Sequence, residues 1–164
     1  MIAPYPDLPQ AFAEARQHFL EAGRDDLAAW AALELAGYPP ASPVPAYRTV
    51  PAQARGKLGN NDDEVVEDYP LPVWHLAGDW AHEDLRAPLS ELMAASAAGD
   101  TGVRQAIAPD TLPLLTRGLR LGNGARVTAA WWQVEPAALV TLLDAVRTRL
   151  RLALEELAAS RQAP

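Results

Sequence analysis

The sequence predicts an α+β fold: an N-terminal helical hairpin, a small and mostly antiparallel sheet, and a long C-terminal helix packed on it. Three observations carry this. Apolar residues recur at three- and four-residue steps near both ends of the chain, which is the helical period. Between them lie short β-branched and aromatic runs, with Arg126 to Val134 the clearest strand. Prolines gather at 39–51 and 70–72, where they punctuate connections.

Taken in order, Asp7 is a helix N-cap, followed by Leu8, Phe12, Ala15, Phe19 and Ala22 on one face and Gly23 at the end. Asp25 or Asp26 caps a second helix with Leu27, Trp30, Ala31 and Leu35 inward, and Gly37 closes it. Trp30 is expected to be buried. The proline-rich stretch 39–45 is expected to be extended, and Tyr47 to Val50 a short strand that weakens through Ala52 to Leu58. Asn60 to Glu64 makes a polar turn before a return strand at Val65-Val66. A helix is expected from about His82 to Ala98, and a short one from Asp110 or Thr111. Leu139, Leu142, Leu143, Val146, Leu150, Ala153, Leu154 and Leu157 then form the apolar stripe of a last helix of about 24 residues, opened by Pro136.

The chain has 164 residues, enough for one hydrophobic core, and is read as a single domain over 1–164 with its core at about 7–157. With 49% hydrophobic and 21% charged residues it falls in the globular range. A formal charge of −7 disfavours general nucleic-acid binding, though a local basic patch can survive it. The absence of cysteine excludes disulfides, thiolate metal sites and cysteine nucleophiles. Neither a signal-peptide pattern nor an apolar run of membrane-spanning length is present, so the expectation is a cytoplasmic protein that binds no membrane.

Several stretches carry a family resemblance. They are Trp30 to Pro39 (WAALELAGYP), Pro45 to Arg48 (PAYR) with Gln53 and Gly56 behind it, Pro70-Leu71-Pro72, and Leu142 to Leu150 (LLDAVRTRL). In this order and spacing the chain is similar to the AbiTii domain family, associated with abortive infection, the bacterial self-sacrificing response to phage. The resemblance implies a role in phage defence and carries no catalytic residue or cofactor. Family members often continue beyond this domain, so a lone copy is expected to act with a partner: another defence protein or a second copy of itself.

The residues themselves nominate several sites. Glu34, Tyr38, Arg48, Asp144 and Arg147 are candidates for a structural ion-pair network or a ligand site, with Glu34 and Asp144 as the expected carboxylates. Arg55, Lys57, Arg149 and Arg151 could extend an arginine-rich face toward an anionic signalling ligand. His75, Asp79 and His82 contain metal-ligand types without the H-E-x-x-H spacing; they would serve a small metal-dependent hydrolase or nuclease, while the expectation is no metal and no cofactor. The acidic run at 62–68 lacks the EF-hand pattern. Trp131 and Trp132 are adjacent on a strand, so they point to opposite faces and one is expected in the core. With Val140 and Leu152, which lie off the apolar stripe, they are candidates for partner contact. The first reading is therefore a non-enzymatic sensor or adaptor.

Overall fold

The computed structural model describes residues 7–99 and 101–162. The chain has five α-helices and six strands among those residues, and they divide into two compact units. The α+β class holds.

The first unit contains the described residues through Arg48, then Leu85–Ala98, and the chain from Val140. Helix α1 is Leu8–Glu21, capped by Asp7, whose side chain accepts from the Gln10 N–H. Helix α2 is Asp25–Ala36. Its N-cap position is Arg24, and Asp25 and Asp26 sit in the first turn, where they favour the positive end of the helix dipole. Gly37, at φ 90°, ends α2 in a conformation that favours glycine. A Cβ there would lie 2.8 Å from the Arg86 carbonyl oxygen, so the close approach of segment 85–88 also requires glycine. The inward face of α2 is Leu27, Ala28, Ala31 and Glu34, a set rotated from the expected one; Trp30 and Leu35 are only half-buried.

Residues 39–45 are not fully extended. Ser42 folds back on Pro39, with its amide and hydroxyl both donating to the Pro39 carbonyl. Ala46–Arg48 is a short 3-10 helix in place of the expected strand start. Helix α3 is Leu89–Ala98, shorter than expected. Pro88 opens it, its carbonyl accepting from Glu91 and Leu92, and a proline disfavours helix at the residue before it. Helix α5 is Pro136–Gln162 and runs somewhat longer than the stripe predicts. Along it Leu142, Leu143, Val146, Leu150, Ala153 and Leu157 are buried, whereas Leu154 is exposed.

The second unit is Thr49–Asp84 with Gly99–Leu139. Its four-stranded sheet has the order β3-β2-β6-β5, all antiparallel: β2 Gln53–Gly59, β3 Val65–Pro70, β5 Val103–Ala106 and β6 Arg126–Val134. The stretch expected to fade after Val50 is thus the interior strand β2. A two-stranded ladder joins β1, Thr49–Pro51, to β4, His82–Asp84, which takes the residues expected to begin a helix. Helix α4 is Leu112–Arg117, preceded by a 3-10 turn at Pro109–Thr111. The core of this unit is Ala54, Leu58, Leu71, Ile107, Leu115, Val127 and Ala130. At the β2–β3 turn, Asn60 Oδ1 accepts from the backbone of Asp62 and Glu64.

Candidate functional site

The first unit encloses a charged pair. Glu34 and Arg48 are both 0% exposed. Glu34 arrives on the buried face of α2, and Arg48 closes the 3-10 turn that follows the proline segment. One Glu34 oxygen accepts from Arg48 Nη2. The other accepts from two tyrosine hydroxyls, Tyr38 at 2.7 Å and Tyr47 at 2.6 Å. Arg48 Nη1 donates to the carbonyls of Leu85 at 2.9 Å and Ala87 at 2.7 Å. Its guanidinium carbon lies 5.0 Å from the centre of the Tyr38 ring. Arg48 Nε is buried with no hydrogen-bond partner, which costs free energy the other bonds must offset.

The network continues outward. Trp30 Nε1 donates to the Tyr47 hydroxyl at 2.7 Å. Phe12 meets the Trp30 ring edge-on at 5.1 Å, and Arg149 sits 5.8 Å from the Trp30 ring centre. Burial pushes the Tyr38 and Tyr47 hydroxyls to hold their protons far above the ordinary tyrosine range, and the bonds to Glu34 act the same way. In water-poor surroundings a carboxylate that accepts three such bonds is well matched to a guanidinium. Chemically this cluster joins α2, the 45–48 turn and the 85–87 segment. Both carboxylate oxygens already accept hydrogen bonds, and Arg48 is closed to solvent.

Of the residues nominated from sequence, Glu34, Tyr38 and Arg48 come together here. Asp144 and Arg147 form their own pair on α5, at 2.8 Å, with Asp144 exposed. Tyr47 and Trp30 are members that sequence reasoning did not place in the network. The signal lay in their hydroxyl and indole N–H, each of which seeks a partner when covered.

The remaining basic candidates have separate neighbours. Arg55 pairs with Asp68, Lys57 with Glu67 at 3.1 Å, and Arg151 with Glu155 at 2.8 Å. His75, Asp79 and His82 do not converge as a triad. His75 Nε2 bonds to the Leu114 carbonyl at 2.9 Å, and His82 Nδ1 lies 3.0 Å from Asp79. The Ala81 amide, and after it His82, hold the Asp79 carboxyl below the usual carboxylate range. Among the described residues no group of three metal-ligand side chains is placed to hold an ion.

Both tryptophans of β6 are half-buried. Trp132 packs with Trp80, ring centres 5.1 Å apart, against the core of the second unit. Arg104 lies 4.6 Å from the centre of the Trp131 ring. Val140 and Leu152 on α5 are 50% and 45% exposed. Among the described residues no helix is long and apolar enough to cross a membrane.

No curated protein and no solved structure matches the chain. The AbiTii family model matches residues 20–160, a span that holds Glu34, Tyr38, Tyr47 and Arg48 together with the strands of the second unit. With most of its length matched, the chain belongs to the AbiTii family, whose name marks an abortive-infection, phage-defence protein.

Proposed function

We infer that the chain is a non-enzymatic sensor or adaptor of an abortive-infection system, acting in the cytoplasm through contact with another defence protein or a second copy of itself. The observation that supports this most is the inward use of Glu34 and Arg48. A general base must reach the proton it takes, and an anion-binding arginine must reach the anion. These two side chains are fully enclosed and bonded to each other, so they serve as scaffold. Apolar contact positions remain on α5, where Val140 and Leu152 face solvent.

The test is phage plating on cells carrying substituted alleles. Val140→Glu with Leu152→Glu should abolish protection while the purified protein keeps its thermal midpoint. His82→Ala and Asp79→Asn should leave protection intact. Loss of protection in either of the latter, at unchanged thermal stability, would overturn the non-enzymatic reading.

A further inference from the structure

A cleft of about 390 Å³ opens in the second unit between the end of β3, the Pro70-Leu71-Pro72 segment and the chain after α4. Its volume falls in the range of small-molecule sites. Trp74 lines it and is 70% exposed, the most exposed large apolar side chain among the described residues. Water contact on that scale is costly for an indole, and the ring is nevertheless held in place. His75 meets it edge-on, ring centres 5.3 Å apart at 68°. His75 in turn is fixed by its Nε2–H, which donates to the Leu114 carbonyl. The imidazole packs on Gly118, where a Cβ would fall 2.1 Å from the ring. Pro70 and Pro72, which also line the cleft, stiffen the backbone there.

The same cleft is lined by Arg120, whose guanidinium carbon lies 5.6 Å from the centre of the Trp74 ring. Arg120 is exposed and has no carboxylate partner among the described residues. Residues 111–126 contain Arg117, Arg120 and Arg126 and no acidic residue, inside a chain of charge −7. Arg55, Lys57 and Arg104 of the same unit each sit on a carboxylate. The cleft therefore pairs a largely exposed indole with a cation that has no carboxylate partner among the described residues.

We propose that this cleft binds a nucleotide: a base stacks on Trp74 and its phosphate is taken by Arg120. The chemistry is that of aromatic platforms beside a basic side chain, where every base has a face to stack and the phosphate supplies the charge. The site uses none of the residues of the adaptor reading and stands or falls separately from it. The ligand is either a free mononucleotide or a nucleotide within a single strand, and both present the same base and phosphate.

Calorimetry on the full chain decides it, with AMP, GMP, CMP and UMP, a 15-nucleotide single-stranded RNA, adenosine and inorganic phosphate as probes. At least one mononucleotide or the RNA should bind saturably. Trp74→Ala should weaken that binding about tenfold or more, and Trp74→Phe should retain most of it. Arg120→Ala should weaken it comparably and flatten its salt dependence. Adenosine and phosphate should each bind more weakly than AMP. RNA binding at least about tenfold tighter than any mononucleotide marks a single strand as the source, and equal affinity marks the free nucleotide. Both substituted side chains are exposed, and circular dichroism with a thermal melt confirms that each variant is folded. Absence of saturable binding to all four mononucleotides and the RNA at millimolar concentration overturns the proposal, as does binding unchanged in Trp74→Ala and Arg120→Ala.

Discussion

Glu34 and Arg48 are fully enclosed in the first unit, while Arg55 and Asp68 of the second make the same kind of pair in partial contact with solvent. The second unit keeps charge out of its core, which is built from Ala54, Leu58, Leu71, Ile107, Leu115, Val127 and Ala130. Its buried polar side chain, Gln133, is neutral and bonds to Arg104 and the Thr101 carbonyl. An enclosed ion pair offers little net stability over an apolar core, yet losing one partner strands a charge. The first unit is thus sensitive to the chemistry of single side chains. The second is sensitive to their volume.

The largest effect should come from Glu34→Ala. It leaves Arg48 buried with no anion and two tyrosine hydroxyls with no acceptor, and should cost about 3–5 kcal/mol in urea unfolding. Replacing both partners, Glu34→Leu with Arg48→Met, should recover much of that loss. If the double variant is no more stable than the single one, Arg48 is needed for its bonds to Leu85 and Ala87 more than for the charge pairing. The network also sets an alkaline limit. Tyr38 and Tyr47 hold their protons above the unfolded value of about 10. Below that pH both states are protonated and the stabilisation is complete. Above it the unfolded chain ionises first, so stability falls as pH rises. Tyrosinate absorbance should therefore show two hydroxyls that ionise together with unfolding. Titration of both near pH 10 in the folded protein would break the comparison, because it would make the cluster open to water.

Which parts were legible follows from the same contrast. The helices α1, α2 and α5 announce themselves because large apolar residues repeat at helical spacing. Strand β6 does so through Val127, Trp131, Trp132 and Val134. Strand β2 stayed faint because its inward residues are Ala54, Gly56 and Leu58, and two small residues hide a period of two. Strand β5 has four residues and one β-branched side chain, too few to show a pattern. Strand β4 reads His82-Glu83-Asp84; its pairing with β1 is a long-range fact that no local pattern states. At the site, Glu34 and Arg48 were legible as opposite charges in family-like segments. Trp30 and Tyr47 were not, because a hydrogen bond between an indole and a phenol leaves no periodic trace.

A smaller effect, on the volume side of the contrast, is expected from Gly56→Ala. An added Cβ would lie 2.7 Å from the Ala129 carbonyl oxygen and 3.0 Å from Leu71 Cδ1. Leu71 can turn; the backbone of β6 must shift. Overpacking of this kind costs about 1–3 kcal/mol. A neutral result in thermal unfolding would mean that β2 and β6 separate easily, and the second unit would lose its claim to tight packing.

The smallest effect should come from Asp144→Ala, and it tests whether burial or mere pairing sets the importance of an ion pair. Asp144 and Arg147 are as well placed as any exposed pair, at 2.8 Å and three residues apart on α5. The Asp144 side chain is 60% exposed, so water already solvates the charge that pairing would stabilise. Such helix pairs contribute about 0.3–0.5 kcal/mol. Alanine is also the better helix former, by up to about 0.7 kcal/mol, which opposes the loss. The two effects nearly cancel, and urea unfolding should place the variant within about 0.5 kcal/mol of the parent. Raising salt to 0.5 M shortens the screening length to a few ångströms and removes the pairing contribution, so the balance should shift by a few tenths of a kcal/mol in favour of the alanine variant. The Glu34→Ala deficit should persist at the same salt, because ions do not enter a closed core. A loss above about 1.5 kcal/mol for Asp144→Ala would join α5 to the buried network and remove the distinction between the two pairs.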